Sequence, residues 1–310
     1  MSLPSAPARR PTLLIIGCGD IGLRVLRLLV PRWRVLALTS SPDRMPALRA
    51  LGAVPLLGNL DRPATLGRLG GLADAVLHLA PPPGQGVTDP RTRALVRALA
   101  RGGRVRRLVY ASTTGVYGDG AGARFDETRS VAPATDRARR RVDAEAQLRG
   151  FGRACRVRVS VLRIPGIYAV DRPGGHPRER LLRGTPVLQP SDDVYTNHIH
   201  ADDLARACVA ALHRSLPQRV IHASDDTELL MGEYFDLAAT LCGLPPPPRI
   251  SRAQAAVELS PMQLSFMSES RRLINQRLKR ELRLRLDYPT VREGLDPVFQ
   301  RRRPPSPKGG

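Results

Sequence analysis

The chain has few cysteines and few aromatic residues. Among its 310 residues the cysteines are Cys18, Cys155, Cys208 and Cys242, which lie far apart and form no Cys-x-x-Cys pair. That spacing is not typical of a zinc site or of a disulfide-stabilised scaffold, and it predicts a protein of the reducing cytoplasm. Aromatic residues make up only 4% of the chain, which argues against a base-stacking surface for nucleic acid.

Lysine is almost absent, although the chain is strongly basic. It occurs only at Lys279 and Lys308, so arginine supplies nearly all of the 49 cationic residues, and the formal net charge is +21. The arginines are mostly scattered, and no helix-turn-helix, zinc or RNA-binding motif accompanies them. We therefore expect no specific nucleic-acid partner, and charge-driven nucleic-acid binding is kept only as a third hypothesis. The charge suits an anionic small molecule.

Long uninterrupted hydrophobic runs are also missing. Residues 12–30 are the most apolar stretch, but Asp20, Arg24 and Arg27 interrupt it. The stretch is therefore not expected to be a signal peptide or a membrane span, and we expect no membrane partner.

A glycine-rich turn follows the first apolar run. Residues 12–16 predict a short buried parallel strand, residues 21–29 carry one apolar stripe with helical spacing, and residues 35–38 predict a second strand. Glycines in such a turn permit the sharp bend, let backbone approach a pyrophosphate and allow close packing of helix on sheet. An ordinary strand-to-helix turn is the alternative. The residues predicted here to bind a dinucleotide are Gly17, Gly19, Asp20, Ile21 and Gly22.

Strands and helices continue to alternate downstream. Further strands are predicted at residues 54–57, 75–79, 107–111, 157–164 and 219–223. Pro55 makes the first of these the least secure. The alternation predicts an α/β fold with a doubly wound, Rossmann-type parallel sheet and a smaller C-terminal substrate lobe. The expected boundaries are 11–165 and 196–225 for the dinucleotide-binding domain, 166–195 and 226–299 for the substrate lobe, and 300–310 for a disordered tail.

The end of the second predicted strand bears on the choice between NAD and NADP. An acidic residue there would accept hydrogen bonds from the ribose hydroxyls of NAD. The strand instead runs into a Thr-Ser-Ser segment, and Ser40 and Arg44 are suited to the 2′-phosphate of NADP. Alternatively, Arg44 is an ordinary solvated loop arginine. Asp43 is a candidate acidic residue for the ribose of NAD, which would favour NAD instead. Both cofactors stay open, with NADP slightly favoured.

Several later segments resemble one known family, in the order in which that family carries them. They are residues 109–119 (VYASTTGVYGD), 126–128 (DET), 162–168 (LRIPGIY), 197–205 (NHIHADDLA) and 288–295 (YPTVREGL). Together with the glycine turn, they make the chain similar to the extended short-chain dehydrogenases/reductases, the NAD-dependent epimerase/dehydratase family. Such ordered matches indicate a family and say little about any one substrate.

The resemblance implies roles for individual residues. Thr113, with Ser112 beside it, would hydrogen-bond the reacting oxygen of a substrate, a capping Ser/Thr turn being the alternative. Around the cofactor, the resemblance places Asn59 and Leu60 at the adenine, Leu79, Ala80 and Pro81 at the nicotinamide ribose, and Ile164, Pro165 and Tyr168 at the nicotinamide. For the apolar residues among them, ordinary packing at the strand ends is the alternative.

The chain departs from the family at its Tyr-x-x-x-Lys pair, in which a phenol transfers the proton and a lysine lowers the pKa of that phenol. Arg137 and Arg141 stand at the two positions, and no tyrosine occurs between Tyr117 and Tyr168. Arg141 is still suited to holding a ribose, whereas an arginine does not titrate near neutral pH. The candidates for a substitute proton donor are Tyr117, Tyr168 and His198.

A histidine beside two carboxylates, His200 with Asp202 and Asp203, raises the alternative of a metal site. We interpret it instead as a strand-to-helix junction in which Asp202 caps the helix, and we predict no metal.

These observations predict an NAD(P)-dependent oxidoreductase or epimerase-like enzyme with an atypical active site. Its substrate would be a carbonyl compound or a secondary alcohol, with a nucleotide sugar or an aldehyde as candidates. The catalytic residues predicted are Thr113, Ser112 and Tyr117. The alternative is a catalytically inactive NAD(P)-binding sensor or interaction protein, favoured by Arg137 and Arg141. The family resemblance also implies a homodimer.

Overall fold

The structure is a computed structural model that describes residues 10–302, except for the side chains of residues 262 and 300–302. Within that range the strands are β1 (Thr12–Ile16), β2 (Arg34–Thr39), β3 (Val54–Leu57), β4 (Ala75–His78), β5 (Arg107–Thr113), β6 (Arg124–Phe125), β7 (Arg158–Ile164), β8 (Gly166–Tyr168), β9 (Val187–Leu188), β10 (Tyr195–Thr196), β11 (His198–His200), β12 (Arg219–His222), β13 (Leu229–Leu230), β14 (Arg249–Ile250) and β15 (Arg272–Leu273). The α-helices of the same range are α1 (Asp20–Leu29), α2 (Met45–Ala50), α3 (Pro90–Ala100), α4 (Asp136–Ala154), α5 (Arg178–Leu182), α6 (Ala201–Arg214), α7 (Met231–Cys242), α8 (Arg252–Glu258), α9 (Pro261–Met267), α10 (Gln276–Arg280), α11 (Val291–Leu295) and α12 (Pro297–Arg302).

Seven strands form one sheet in the order β12-β7-β5-β4-β1-β2-β3, and every pairing in it is parallel. The strand order reverses between β1 and β4, and the carboxyl ends of strands beside such a reversal form a ligand crevice. Pro55 lies in β3, at the edge of the sheet, where a missing N–H is tolerated. The predicted doubly wound Rossmann-type fold is confirmed.

Both faces of the sheet are buried, which explains why its strands are continuously apolar. Alternate residues of β1 point to opposite faces, because side chains alternate along a strand. Leu13 and Ile15 join the core on the side of α1 and α6, whereas Leu14 and Ile16 join the core on the side of α3 and α4. Among the described residues, no helix combines the length and the apolar character needed to cross a membrane.

The segments predicted as a substrate lobe build a core of their own. It is formed around α7, with Tyr234 and Phe235 buried against the small paired strands β9 and β14 and against α11. The last helix, α12, reaches Arg302, so the predicted disordered tail begins with three helical residues. The rest of that tail, residues 303–310, lies outside the described residues.

Three histidines are buried in the neutral form. Burial lowers the pKa of His78, His198 and His222 to about 3 in each case. For His222 the hydrogen bonds agree with this, because Nδ1 donates to the carbonyl of Ile274 at 3.0 Å and Nε2 accepts from the hydroxyl of Tyr117 at 2.6 Å. Protonation of Nε2 would reverse the second bond, because Nε2 would then donate to the Tyr117 oxygen.

Stability is therefore expected to fall as the pH is lowered from 6.5 to 5. In the unfolded chain these histidines regain their ordinary pKa near 6.5, so below that pH the unfolded state binds more protons, at about 1.4 kcal/mol per pH unit for each histidine. Burial raises the pKa of Asp225 well above its ordinary value, which offsets part of this loss. Urea unfolding at pH 7.5, 6 and 5 tests the sign, and a free energy of unfolding that stays constant or rises toward pH 5 contradicts it.

Candidate cofactor and substrate cleft

The glycine turn joins β1 to α1 at the centre of the crevice. Gly17 has a φ of 83°, and a Cβ added there would lie 2.5 Å from the backbone nitrogen of Ala80. A Cβ on Gly22 would lie 3.2 Å from the Cys18 sulfur, whereas a Cβ on Gly19 would meet no atom within 4 Å. The chain therefore packs tightly against two of the glycines and leaves open space beside the third. That open space fits the close passage of a pyrophosphate.

Charges around the first turn of α1 are balanced. The Asp20 carboxylate accepts from Nε of Arg24 and from Nε of Arg172, each at 3.1 Å. Arg24 is itself buried and also bonds Asp171 and Asp202. Because Asp20 is neutralised by its two arginines, the turn offers an incoming anion mainly its backbone N–H groups and the positive end of the helix dipole. Ile21 is half-buried behind the turn.

The carboxyl ends of β2 and β3 lie next to this turn. Arg44 bridges the two regions, since its Nη2 donates to the Cys18 carbonyl at 2.6 Å, and Ser40 is exposed nearby in the chain. Asn59 uses its side-chain oxygen to accept from the amide of Asp61 at 2.9 Å. Leu60 is partly buried against the sheet core. A cation and hydroxyl groups are thus available where the adenosine half of a dinucleotide would lie.

A cleft of about 740 Å³ opens between the sheet and the lobe. Among the residues predicted for the site, Pro81, Thr113, Arg141 and Pro165 line it, together with Tyr168 and His198. Thr113 ends β5, and its Oγ1 accepts from the amide of Gly115 at 3.3 Å, which leaves the hydroxyl hydrogen able to donate into the cleft. The apolar residues expected along the nicotinamide ribose and ring are mostly core-packed: these are Leu79, Ala80 and Ile164.

Ser112 and Tyr117 do not line the cleft. The Ser112 hydroxyl donates to Glu145 at 2.5 Å, and Glu145 forms a buried ion pair with Arg163. Tyr117 is 1% exposed and its hydroxyl donates to His222. The structure thus brings Thr113 to the cleft and turns the other two predicted catalytic hydroxyls toward the interior.

The two arginines at the Tyr-x-x-x-Lys positions both line the cleft. Nη1 of Arg141 donates to the Tyr110 hydroxyl at 3.0 Å and to the Ala111 carbonyl at 2.6 Å. Burial raises the pKa of Tyr110 to about 12, so that phenol stays protonated. The guanidinium of Arg137 lies 5.2 Å from the ring centre of Phe266. The two guanidinium groups together make the cleft positive.

Two further donor candidates lie in the cleft, Tyr168 and His198. The Tyr168 hydroxyl donates to the Thr290 carbonyl at 3.2 Å, and burial raises its pKa. The ring of His198 stacks on Tyr234 with 4.2 Å between the centroids, and its Nδ1 is buried with no hydrogen-bond partner in the part of the chain that the structure describes. With its low pKa, His198 is neutral at pH 7 and offers a hydrogen bond rather than a positive charge.

The junction before α6 has a different cap from the one predicted. The capping side chain is His200, whose Nδ1 accepts from the amide of Asp202 at 3.2 Å, so Asp202 lies in the first turn. Asp203 accepts from the amides of Asp287 and Tyr288 at 2.9 and 2.8 Å. The prediction that Asp202 is the cap was wrong, because the helix begins one residue earlier, at Ala201. Asp202 and Asp203 thus connect the first turn of α6 to Arg24 of α1 and to the backbone of residues 287 and 288.

Several cleft residues carried no sequence signal. Arg180, Tyr234, Phe266 and Arg271 line the cleft from the lobe, although none belongs to a recognisable motif. In a chain with this many arginines, neither Arg180 nor Arg271 stands out. Only their position in the fold identifies them.

Comparison with known proteins agrees with this geometry. A family model described as NAD(P)H-binding matches residues 17–215, well over half of the chain. A curated relative, 4-hydroxy-2-methyl-3-oxo-4-farnesyl-3,4-dihydroquinoline-1-oxide ketoreductase from Stigmatella aurantiaca, is 36% identical over 112 residues. That match spans about a third of each protein, 34% in both cases.

Solved structures match over nearly the whole chain. A conserved protein of unknown function from Silicibacter pomeroyi is 34% identical with a TM-score of 0.78, over 94% of this chain and 98% of that one. UDP-glucose 4-epimerase with UDP-glucose from Thermotoga maritima has a TM-score of 0.73 at 19% identity, over 94% and 98%. UDP-glucuronic acid 4-epimerase from Bacillus cereus in complex with NAD has the same TM-score at 16% identity and the same coverage. The chain therefore belongs to the NAD(P)H-binding family, and it shares the fold of the two epimerases.

Proposed function

We propose that the protein is an NADPH-dependent oxidoreductase that interconverts a carbonyl group and a secondary alcohol. The observation that carries the proposal is that the glycine turn and Thr113 follow the carboxyl ends of β1 and β5, two parallel strands that both pair with β4, so both lie at the same edge of the sheet. One region is suited to a pyrophosphate and the other to a reacting oxygen. The bound nicotinamide would supply the hydride.

The chain's own residues would position and polarise the substrate. Thr113 would donate a hydrogen bond to the carbonyl oxygen, and the positive charges of Arg137 and Arg141 would stabilise the negative charge that develops there. Neutral His198 would add a further hydrogen bond. Since none of these groups carries a proton that it can release readily at pH 7, the final proton would come from solvent through the cleft.

The similar proteins indicate the broad class of the substrate. A ketoreductase and two nucleotide-sugar epimerases are among the similar proteins. We propose a ketone, an aldehyde or a nucleotide sugar, with residues 166–195 and 226–299 acting as the substrate lobe. Incubating the protein with NADPH or NADH and a panel of these compounds tests the proposal by absorbance at 340 nm. Absence of turnover across the panel contradicts it.

A catalytically inactive cofactor-binding protein is the second candidate. It is favoured by the contacts of Arg141, whose guanidinium is held by Tyr110 and by the Ala111 carbonyl rather than paired with a titrating phenol. This candidate expects NADPH binding by calorimetry with no turnover of any panel compound. Turnover that depends on Thr113 rules it out.

Replacing Arg44 with alanine is expected to weaken NADPH binding about tenfold or more while changing NADH binding less than threefold. A tenfold loss equals about 1.4 kcal/mol, close to the lower end of the about 1.5 to 3 kcal/mol that one hydrogen bond to a charged group contributes. Calorimetric titration with each cofactor measures both affinities. Arg49→Ala is the matched control, since Arg49 is an exposed arginine on the following helix, α2. Equal losses for NADPH and NADH would show that Arg44 does not read the 2′-phosphate.

A further inference from the structure

One arginine of the lobe side of the cleft is held in an unusual setting. Arg180 lies on α5 and is half-buried, with its guanidinium 4.4 Å from the ring centre of Phe235. Its Nη2 donates to the Pro186 carbonyl at 3.1 Å. Its Nε is buried and has no hydrogen-bond partner among the described residues. The aromatic face fixes the plane of the guanidinium and leaves part of its donor edge unused.

The charge of Arg180 is also uncompensated. Three other arginines with little exposure contact carboxylates, since Arg24 contacts three aspartates, Arg163 contacts Glu145 and Arg271 contacts Glu269. Buried Arg140, like Arg180, donates to a backbone carbonyl instead. No carboxylate of residues 10–302 lies within 4.0 Å of the Arg180 guanidinium. Burial and the positive charge of Arg183 both lower the pKa of Arg180. A partly desolvated cation without a carboxylate partner favours the binding of an anion beside it.

The rest of the cleft favours such an anion. Among the described residues that line it, the acidic ones are Glu179 and Glu269, and Glu269 is already paired with Arg271 at 2.6 Å. Arg137 and Arg183 line the same cleft and, within the described residues, no carboxylate pairs with them. The phenol of Tyr234 lies beside the same aromatic cluster, and burial raises its pKa, so it stays a hydrogen-bond donor.

We propose that Arg180 determines substrate specificity by binding an anionic group, a carboxylate or a phosphate, on the carbonyl substrate. The planar guanidinium presents parallel N–H groups that match the two oxygens of either anion. That the anion belongs to a substrate rests on the proposed function, but the binding of the anion is measurable without catalysis. The class named is therefore an oxo acid or an oxo phosphate ester.

Matched pairs of probes test this with the full chain saturated with NADPH. Phenylpyruvate and phenylacetone differ by a carboxylate in place of a methyl group, and dihydroxyacetone phosphate and dihydroxyacetone differ by a phosphate. Calorimetry measures the affinity of each, and absorbance at 340 nm measures turnover. The charged member of at least one pair is expected to bind about ten- to a hundredfold more tightly, as for a hydrogen bond to a charged group. The pair that shows the preference identifies the anion.

Variants assign the preference to Arg180. Arg180→Met is expected to reduce it to less than threefold, and Arg180→Lys to retain a part of it, because lysine keeps the charge without the planar fork. Arg178→Met is the control, since Arg178 lies on the same helix, is exposed and does not line the cleft. It should leave the preference unchanged. Far-ultraviolet circular dichroism checks that each variant is folded.

The outcomes separate this inference from the proposed function. A preference that Arg180→Met removes, with no turnover of any probe, supports the anion site and counts against the oxidoreductase. Turnover of neutral carbonyl compounds with no preference for the charged members supports the oxidoreductase and overturns the anion site. A preference that survives Arg180→Met overturns the role of Arg180. The comparison within each pair uses the wild-type protein, so a misfolded variant does not remove the test.

Discussion

Gly19→Ala is expected to abolish dinucleotide binding and to leave the fold intact. Gly19 is in an extended conformation with a negative φ of −83°, and its added Cβ would meet no protein atom within 4 Å. The methyl group would instead occupy the space through which a pyrophosphate approaches the backbone. We expect an affinity for NADPH at least about 100-fold lower, equal to about 3 kcal/mol, with the free energy of unfolding changed by less than about 1 kcal/mol.

Calorimetry and urea unfolding measure the two effects separately. Gly150→Ala is the matched control, because Gly150 lies within α4 and its added Cβ would also meet no atom within 4 Å. It should leave cofactor binding unchanged and stabilise the helix by about 0.5 to 1 kcal/mol. If Gly19→Ala binds NADPH within threefold of the wild type, the pyrophosphate does not lie against this turn.

Thr113→Val is expected to lower turnover by about 100-fold or more with little change in cofactor affinity. Valine keeps the shape of threonine and removes the hydroxyl that would hold the reacting oxygen, and the loss of one such donor typically lowers kcat by about 10² to 10³. The effect should fall on kcat rather than on KM, because the bond strengthens as charge develops on the oxygen.

Steady-state kinetics with whichever panel compound is turned over measures the effect. Thr240→Val is the control, since it removes a hydroxyl from an exposed position of α7 that does not line the cleft. A kcat within threefold of the wild type in Thr113→Val would remove Thr113 from the mechanism and would favour a different orienting group, of which His198 is the candidate in the cleft.

The central β1–α1–β2 unit was predictable because its information is local. Buried parallel strands are continuously apolar, the helix between them shows a 3.6-residue stripe, and the glycines mark the turn. The helix and strand boundaries differ from the predicted ones by a few residues, as for β5, which continues to Thr113 beyond the predicted residues 107–111. The short strand pairs of the lobe were not predicted, because two-residue strands carry no periodicity.

The cofactor end of the site was easier to locate than the catalytic end. Ser112 and Thr113 are neighbours in a Ser/Thr-rich loop, and the sequence alone gave no means of separating them. Successive residues of a strand point to opposite faces, so Ser112 turns toward Glu145 of α4 while Thr113 turns toward the cleft. Tyr117 likewise lies in a matching segment, but its partner His222 is 105 residues away. Such long-range partners are decided by tertiary packing.

The role of Arg180 in the lobe was likewise not predictable from the sequence, because it depends on tertiary packing. Nothing in the Arg-Glu-Arg-Leu-Leu-Arg stretch distinguishes Arg180 from Arg178 or Arg183. The fold places the Arg180 guanidinium against Phe235 and buries its Nε, and these two facts distinguish it. The predicted homodimer stays a prediction.

Separate titrations of the wild-type protein with NADPH and NADH test the central claim most directly. Calorimetry should show saturable binding of one nicotinamide dinucleotide per chain, tighter for NADPH than for NADH, and both signals should disappear in Gly19→Ala. Absence of binding of either cofactor to the folded wild-type protein would contradict the assignment of the glycine turn as a dinucleotide site.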